Sequence, residues 1–288
     1  MNKITTTALL ATLLCPPLHA ADIAGAVRNG EDAPDTSNGG FLEVGLMGKA
    51  VHDPRAFDRW DEDPSVGVIV AGEYRYNGLF IEAINGSSDG LNVGYTFLRF
   101  KMEDPPSFAP RAWTVDLIAF NGTSGDSEDV DPNLGDTART VWLLDRDPAM
   151  TGAGLRTTGY IGDYIVQFRL LDDVWNGHGT YGTARVGRSW QYRNWNFHAL
   201  VGAEYLDAQY SERMYGVSVM EATSMLPAYS PGSTVAYETE VGVTYPVREN
   251  WVFRGTLRHK YLPAAVAASP LYDERSATSF LASLSYVF

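Results

Sequence analysis

The side chains of this 288-residue chain best suited to chemistry are its histidines and a crowd of carboxylates. His52 is followed by Asp53, with Asp58 and Asp61 close behind. An imidazole held by a carboxylate can activate water. A hydrolase of that kind draws its pair from different elements across a cleft, whereas these four share one connection, which reads as a solvated loop. His259 falls on the apolar face of the alternating stretch Trp251–Tyr261, near its end, where a base working at a lipid surface would stand. It has no serine neighbour at a matching height that the sequence identifies, and reads as an interfacial histidine. Asp126, Glu128, Asp129, Asp131 and Asp136 offer oxygen ligands enough for calcium, but their spacing departs from Asp-x-Asp-x-Asp-Gly and Pro132 interrupts it. They read as an acidic external loop, open to loose bridging by divalent cations to lipopolysaccharide. No catalytic, cofactor or metal site is expected.

The elements around these residues are strands. Ala277–Phe288 places Phe280, Ala282, Leu284, Tyr286 and Phe288 on one face and Ser279, Ser283 and Ser285 on the other. Strict alternation puts one face in an apolar medium and the other in a wet one. In a transmembrane β-barrel such a strand closes the sheet, and Phe280, Leu284, Tyr286 and Phe288 are expected to act as the assembly signal read by the barrel-assembly machinery. At the other end, Met1–Ala20 has a basic start at Lys3, an apolar run Ala8–Leu14 and a break at Pro16-Pro17. This predicts a secretory signal peptide cleaved after Ala20, since a spanning helix needs about 20 apolar residues. A small residue is wanted before a lipidated cysteine, and Leu14 stands before Cys15.

Composition bounds the function. Cys15 is the single cysteine, so the expected mature chain has no disulfide, catalytic thiol or thiolate-bound metal. Removing Lys3 takes the formal charge from −13 to −14, which argues against nucleic acid as a partner. Aromatics make up 12% of the chain and the mean hydropathy is −0.17. A helical membrane protein does not fit those figures, whereas a barrel does, because its lumen-facing residues halve the hydropathy of every strand.

Residues 21–39 read as a flexible periplasmic lead-in, and from Gly40 the rhythm is regular. Expected strands run Phe41–Val51, Val66–Tyr76, Leu79–Asn85, Leu91–Met102, Ala112–Phe120 and Thr151–Tyr160, then Asp163–Leu171, Thr180–Tyr192, Trp195–Asp207, Thr234–Pro246, Trp251–Tyr261 and Ala277–Phe288. The fold expected over 40–288 is an all-β antiparallel transmembrane barrel of about twelve strands. Even-to-odd connections are tight, at Asn77-Gly78, Ile161-Gly162, Arg193-Asn194 and Val247–Asn250, whereas odd-to-even ones such as His52–Pro64, Asn121–Met150, Gln209–Gly232 and Leu262–Ser276 are long. Short periplasmic turns and long external loops place both termini in the periplasm. Aromatics near strand ends, among them Tyr74, Tyr76, Trp113, Tyr192, Trp195, Tyr245, Trp251 and Tyr261, would form two interfacial girdles. A soluble β-sandwich accounts for neither the loop asymmetry nor the aromatic terminus.

The wet face carries charge of both signs: Glu43, Lys49, Glu73, Arg75, Asp116, Arg156, Arg169, Arg185, Glu204, Glu238, Glu240, Arg254, Arg258 and Lys260. Such a network can fill a narrow barrel, and a selective channel with a charged wall is the open alternative. Glu103–Arg111 is the one even-to-odd connection that is not tight. Pro105, Pro106 and Pro110 stiffen it, Glu103 and Asp104 charge it, and Phe108 tips it. Glu103, Asp104 and Phe108 are therefore the candidate partner-binding residues, with Phe108 either anchoring a partner or dipping into the inner edge of the bilayer.

From Gly40 onward the chain resembles the MipA/OmpV family of outer-membrane proteins. The resemblance rests on Tyr215-Gly216-Val217-Ser218, Glu221-Ala222, Ser224, Leu226-Pro227-Ala228-Tyr229, Pro231-Gly232, Val241-Gly242-Val243, Tyr245, Trp251 and Ser269-Pro270-Leu271. It implies an outer-membrane barrel and, for the best-known member, a scaffold holding a murein lytic transglycosylase together with a murein synthase; the chain is read as a non-enzymatic scaffold of that kind with no cofactor. A small-solute channel and a barrel hydrolase are the other classes. Where the family carries an acidic Gly-Asp-Ala-Ala-Asp-type run before Ser-Pro, this chain has Ala264-Ala265-Val266-Ala267-Ala268.

Overall fold

A computed structural model describes residues 38–52, 64–83, 90–106, 108–123, 150–175, 177, 179–224 and 226–288. Asp53, Asp58, Asp61, the five acids from Asp126 to Asp136, and the expected signal peptide with Ala20 lie outside them. The strands are β1 (Gly39–His52), β2 (Ser65–Tyr76), β3 (Leu79–Ala83), β4 (Leu91–Lys101), β5 (Pro110–Thr123), β6 (Met150–Ile161), β7 (Tyr164–Asp172), β8 (Thr180–Tyr192), β9 (Trp195–Leu206), β10 (Thr234–Arg248), β11 (Trp251–Tyr261) and β12 (Ser276–Val287). Each pairs antiparallel with its neighbours, and β12 returns to β1, so these twelve close into a barrel with no free edge.

Alternation sets the two faces as expected. On β11, Trp251, Leu257, His259 and Tyr261 point outward, while Arg254, Arg258 and Lys260 point inward. The outer wall is broadly apolar, with Leu46, Val66, Val68, Val70, Ile81, Phe168, Leu170, Val201, Val241, Leu257, Phe280 and Leu284 all exposed. A patch of that extent is not kept in water, and here it faces lipid. Apart from the twelve strands, the described chain holds only α1 (Ala208–Tyr215) and the single turn α2 (Ala264–Ala267). No helix among the described residues is long and apolar enough to cross a membrane.

The boundaries differ from the expected ones where the local rule was a different one. Asn77 and Gly78 both take positive φ (50° and 88°), as a two-residue turn matched to the strand twist requires. The β6–β7 turn is Gly162-Asp163, one residue later than Ile161-Gly162, because Gly162 (φ 55°) takes the first turn position and Ile161 pairs with Tyr164. The β10–β11 turn tightens to Glu249-Asn250 through a bulge between Pro246 and Arg248. In β4 the register shifts between Thr96 and Leu98, so Phe97 is the extra residue and Leu98 and Phe100 continue the outer face. Gly39 already pairs with Arg75, so the sheet begins one residue inside the expected lead-in.

Both described ends of the chain lie at the tight-turn end of the barrel. The Asn38 side chain accepts from the backbone N–H of Asn77 in the β2–β3 turn at 2.7 Å. The N–H of Phe288 donates to the carbonyl of Leu42 at 2.9 Å, and that of Val287 to Asn250 at 2.9 Å. Trp195 lies against Tyr245 (centroids 4.4 Å), Trp251 against Tyr286 (5.5 Å) and Tyr286 against Phe288 (4.7 Å), forming an aromatic girdle at this end. Trp113 lies flat across Gly159 on the neighbouring strand, in space that a Cβ would need.

Candidate functional site

The inside of a barrel is where a function of transport would reside, and here it is occupied in two layers. The upper layer is at the long-loop end. Among the inward residues of that end, Ile118, Leu171, Tyr181, Leu206 and Ala236 form an apolar group that shares one buried cluster with Tyr210 and Tyr215 of α1, Leu262, and Val266 of α2. The connections 207–233 and 262–275, expected as external loops, therefore turn inward and form a plug at this mouth. The physical reason is that the inner wall offers an apolar seat to the apolar residues of the two connections.

The plug is fastened at many points. Asp207 caps α1 by accepting from the N–H of Tyr210 at 2.7 Å, and it also accepts from the N–H of Thr180 at 2.8 Å. Ser211 and Thr234 share a hydroxyl contact of 2.9 Å. Val217 and Tyr229 exchange backbone bonds at 2.7 and 2.9 Å, and Leu226, Leu271 and Ala222 pack beside them. Ser269 donates to the carbonyl of Tyr215 at 2.6 Å, and Tyr229 donates to that of Ala265. Ala264–Ala268 thus supplies α2 and the fully buried Val266. Burial raises the phenols of both Tyr210 and Tyr215 above the ordinary tyrosine range, and nearby Glu204 adds to it.

Below the plug the lumen is charged and paired. Arg156 donates to Asp116 at 2.9 Å and to Glu82, all three being buried. Asp116 also accepts from Thr96 at 2.6 Å, Thr96 accepts from Arg75 at 3.1 Å, and Arg75 pairs with Glu73. Both Arg75 and Arg156 lie over the Phe80 ring, at 4.9 and 5.0 Å. Across the lumen Arg185 pairs with Glu238 at 2.8 Å, Arg258 with Glu240 at 2.7 Å, Arg254 with Glu43 at 2.9 Å, and Lys260 with Glu204. His198 Nε2 lies 3.1 Å from Glu240, which as a carboxylate can only accept. Asn121 donates to Asn92 at 2.7 Å and accepts from Tyr181.

Sequence reasoning found the inward charges but missed Glu82, which sits at an inward position of the five-residue β3 between exposed Leu79 and Ile81. Alternation within β3 carries that signal. It also left out the Asn92–Asn121–Tyr181 chain, whose members are uncharged and look unremarkable one at a time. The other candidates separate. His52 reaches Glu274 of the β11–β12 connection at 2.8 Å, which binds two long-loop segments together. His259 Nδ1 lies 2.9 Å from the Thr278 hydroxyl on the outer face, and among the described residues no carboxylate orients its ring, so the two do not make a triad. Among the described residues no group of three or more His, Cys, Asp or Glu could hold a metal.

At the tight-turn end, the 102–109 connection carries Phe108 at 93% exposure. The segment is closed by Met102 N–H to Arg111 carbonyl (2.8 Å) and Ala109 N–H to Pro106 carbonyl (2.8 Å), with Asp104 at φ 50°. Of the four residues expected to signal assembly, Phe280, Leu284 and Tyr286 lie on the outer face of β12, and the exposed Phe288 follows its last residue.

The family model of the MltA-interacting protein MipA matches residues 49–288. A curated relative, "Putative outer membrane protein YiaT" of Escherichia coli K12, is 25% identical over 114 residues, which is 39% of this chain and 46% of the relative, so the chain spans about half the length of the curated relatives it matches. Among solved structures, the NanC porin aligns over 85% of this chain and 98% of its own at 11% identity and a TM-score of 0.40. Outer membrane phospholipase A of Escherichia coli aligns over 85% and 95% at 12% identity and a TM-score of 0.37. Nothing about activity follows from likenesses of that degree. The match to the family model spans β2 to β12 and part of β1, and this outer-membrane β-barrel belongs to the MltA-interacting protein MipA family.

Proposed function

We propose that the protein is a non-enzymatic scaffold of the outer membrane that holds a murein lytic transglycosylase, and with it a murein synthase, on the periplasmic rim of its barrel. The observation that carries this reading is the occupation of the lumen by the plug and the paired charges, which leaves surface contact rather than passage as the work of the molecule. A murein enzyme acts in the periplasm, and the tight-turn rim is the end that short turns and the chain ends favour for that side. Two-residue turns present little surface, whereas Glu103, Asp104 and Phe108 stand out on a proline-stiffened segment that loses less entropy on docking. The reading includes a signal peptide ending at Ala20 and a periplasmic lead-in over 21–39. A channel fits less well, because a solute has to displace both layers.

The test is cross-linking in intact envelopes of the full-length protein against a variant combining Phe108→Ser, Glu103→Lys and Asp104→Lys. Capture of murein enzymes should fall at least tenfold in the variant while its heat-modifiable migration, the mark of a folded barrel, is unchanged. Undiminished capture would show that this rim is not the docking surface.

A further inference from the structure

The outer wall carries an arginine where a lipid-facing strand has an apolar residue at almost every other outward position. Arg188 of β8 pairs across the sheet with Tyr164 of β7 and Ala199 of β9, both outward-facing, so its side chain projects to the bilayer side near the tight-turn end. A cation on that face is costly at mid-membrane and nearly free at headgroup depth, and only at that depth does it meet phosphate. Its surroundings are built for that depth. The guanidinium lies 5.5 Å from the Tyr164 ring and 5.6 Å from the Trp190 ring, both exposed to the apolar phase. One terminal nitrogen donates to Asp163 Oδ2 at 2.6 Å, while Nε is buried and has no partner among the described residues. A guanidinium has five N–H groups in a planar fork suited to phosphate.

We propose that Arg188, Asp163, Tyr164 and Trp190 form a headgroup site for a zwitterionic glycerophospholipid of the phosphatidylethanolamine type. The guanidinium takes the phosphodiester oxygens through the terminal N–H groups that Asp163 leaves unused. Asp163, on the exposed β6–β7 turn, takes the ammonium with its other oxygen. The rings of Tyr164 and Trp190 hold the guanidinium flat and cover the glycerol region. Choosing a glycerophospholipid over the phosphates of lipopolysaccharide rests on the tight-turn rim lying in the periplasmic leaflet, as in the scaffold reading.

The experiment is native mass spectrometry of the purified full-length barrel in detergent, offered phosphatidylethanolamine, phosphatidylglycerol or lipopolysaccharide in turn. Wild type should retain phosphatidylethanolamine in preference to phosphatidylglycerol. Arg188→Gln should lower that retention at least tenfold. Asp163→Asn should keep phosphate binding but erase the preference, a change that a purely structural ion pair would not produce. Trp190→Leu, expected to weaken retention severalfold, serves if Arg188→Gln does not reach heat-modifiable form. Equal retention by wild type and by whichever of these two variants folds overturns the proposal, as does loss of lipopolysaccharide in place of phosphatidylethanolamine. Orientation is read separately by labelling Phe108→Cys from the cell exterior, so a reversed barrel is told apart from a missing headgroup site.

Discussion

Arg156 on β6 and Asp116 on β5 meet through a 2.9 Å bond from guanidinium Nε to carboxylate, and Glu82 of β3 closes on the same guanidinium from the other side. Arg156 is 2% exposed and Glu82 0%. Removing the arginine alone leaves two carboxylates facing each other. Arg156→Met is expected to destabilise the folded barrel by about 3–5 kcal/mol, the range for breaking a buried ionic group by deleting one partner. The measurement is the urea midpoint in detergent. The triple replacement Arg156→Met, Glu82→Gln, Asp116→Asn should recover much of the loss, and failure to do so would mean that the cluster acts through shape rather than charge.

The filled lumen predicts weak conduction. In a planar bilayer the wild-type protein should pass far less current than a general porin. Deleting 209–232, which removes most of α1 and the Val217–Tyr229 lobe, should raise the current. Porin-sized conductance in the intact protein would show that plug and charges yield readily, and would restore the channel alternative.

At the seam of the barrel, the N–H of Phe288 donates to Leu42 of β1 and its ring stacks edge-on against Tyr286. Deleting Phe288 is expected to slow assembly severalfold without affecting delivery to the periplasm. Pulse-labelling followed by heat-modifiability separates the two steps. Normal accumulation of folded barrel in the outer membrane would remove the assembly role from this residue.

Alkaline pH should act on the plug. Burial holds the phenols of Tyr210 and Tyr215 above the ordinary range, whereas in the unfolded chain they lose protons near pH 10. Above that pH the unfolded state binds fewer protons than the folded one, so stability falls as pH rises, and below it these two groups contribute no slope. Phenolate absorbance at about pH 11 should be lower in the folded barrel than in the denatured chain. Tyr210→Phe with Tyr215→Phe should flatten the stability decline, and an unchanged decline would place its cause elsewhere.

Face, fold and environment were determined by the sequence, because in a strand that separates lipid from a wet interior the period of two is a local property. The inward charges from Glu43 to Lys260 named from the sequence could be placed by parity alone, and so could most of the outward aromatics, except past the β4 bulge, where Phe97 is extra and Phe100 changes face. The pairing of those charges was not legible. Glu43 meets Arg254 across 211 residues, and Glu82 meets Arg156 across 74. Which inward residues share a level depends on strand tilt, stagger and the bulges in β4, β5 and β10, all fixed only when β12 closes on β1. The plug needed the tertiary structure for a different reason. Residues 207–233 and 262–275 have no periodicity to reveal their environment, and their burial is decided by Ile118, Leu171, Tyr181, Leu206 and Ala236, which come from five separate strands and form an apolar seat only in the closed barrel.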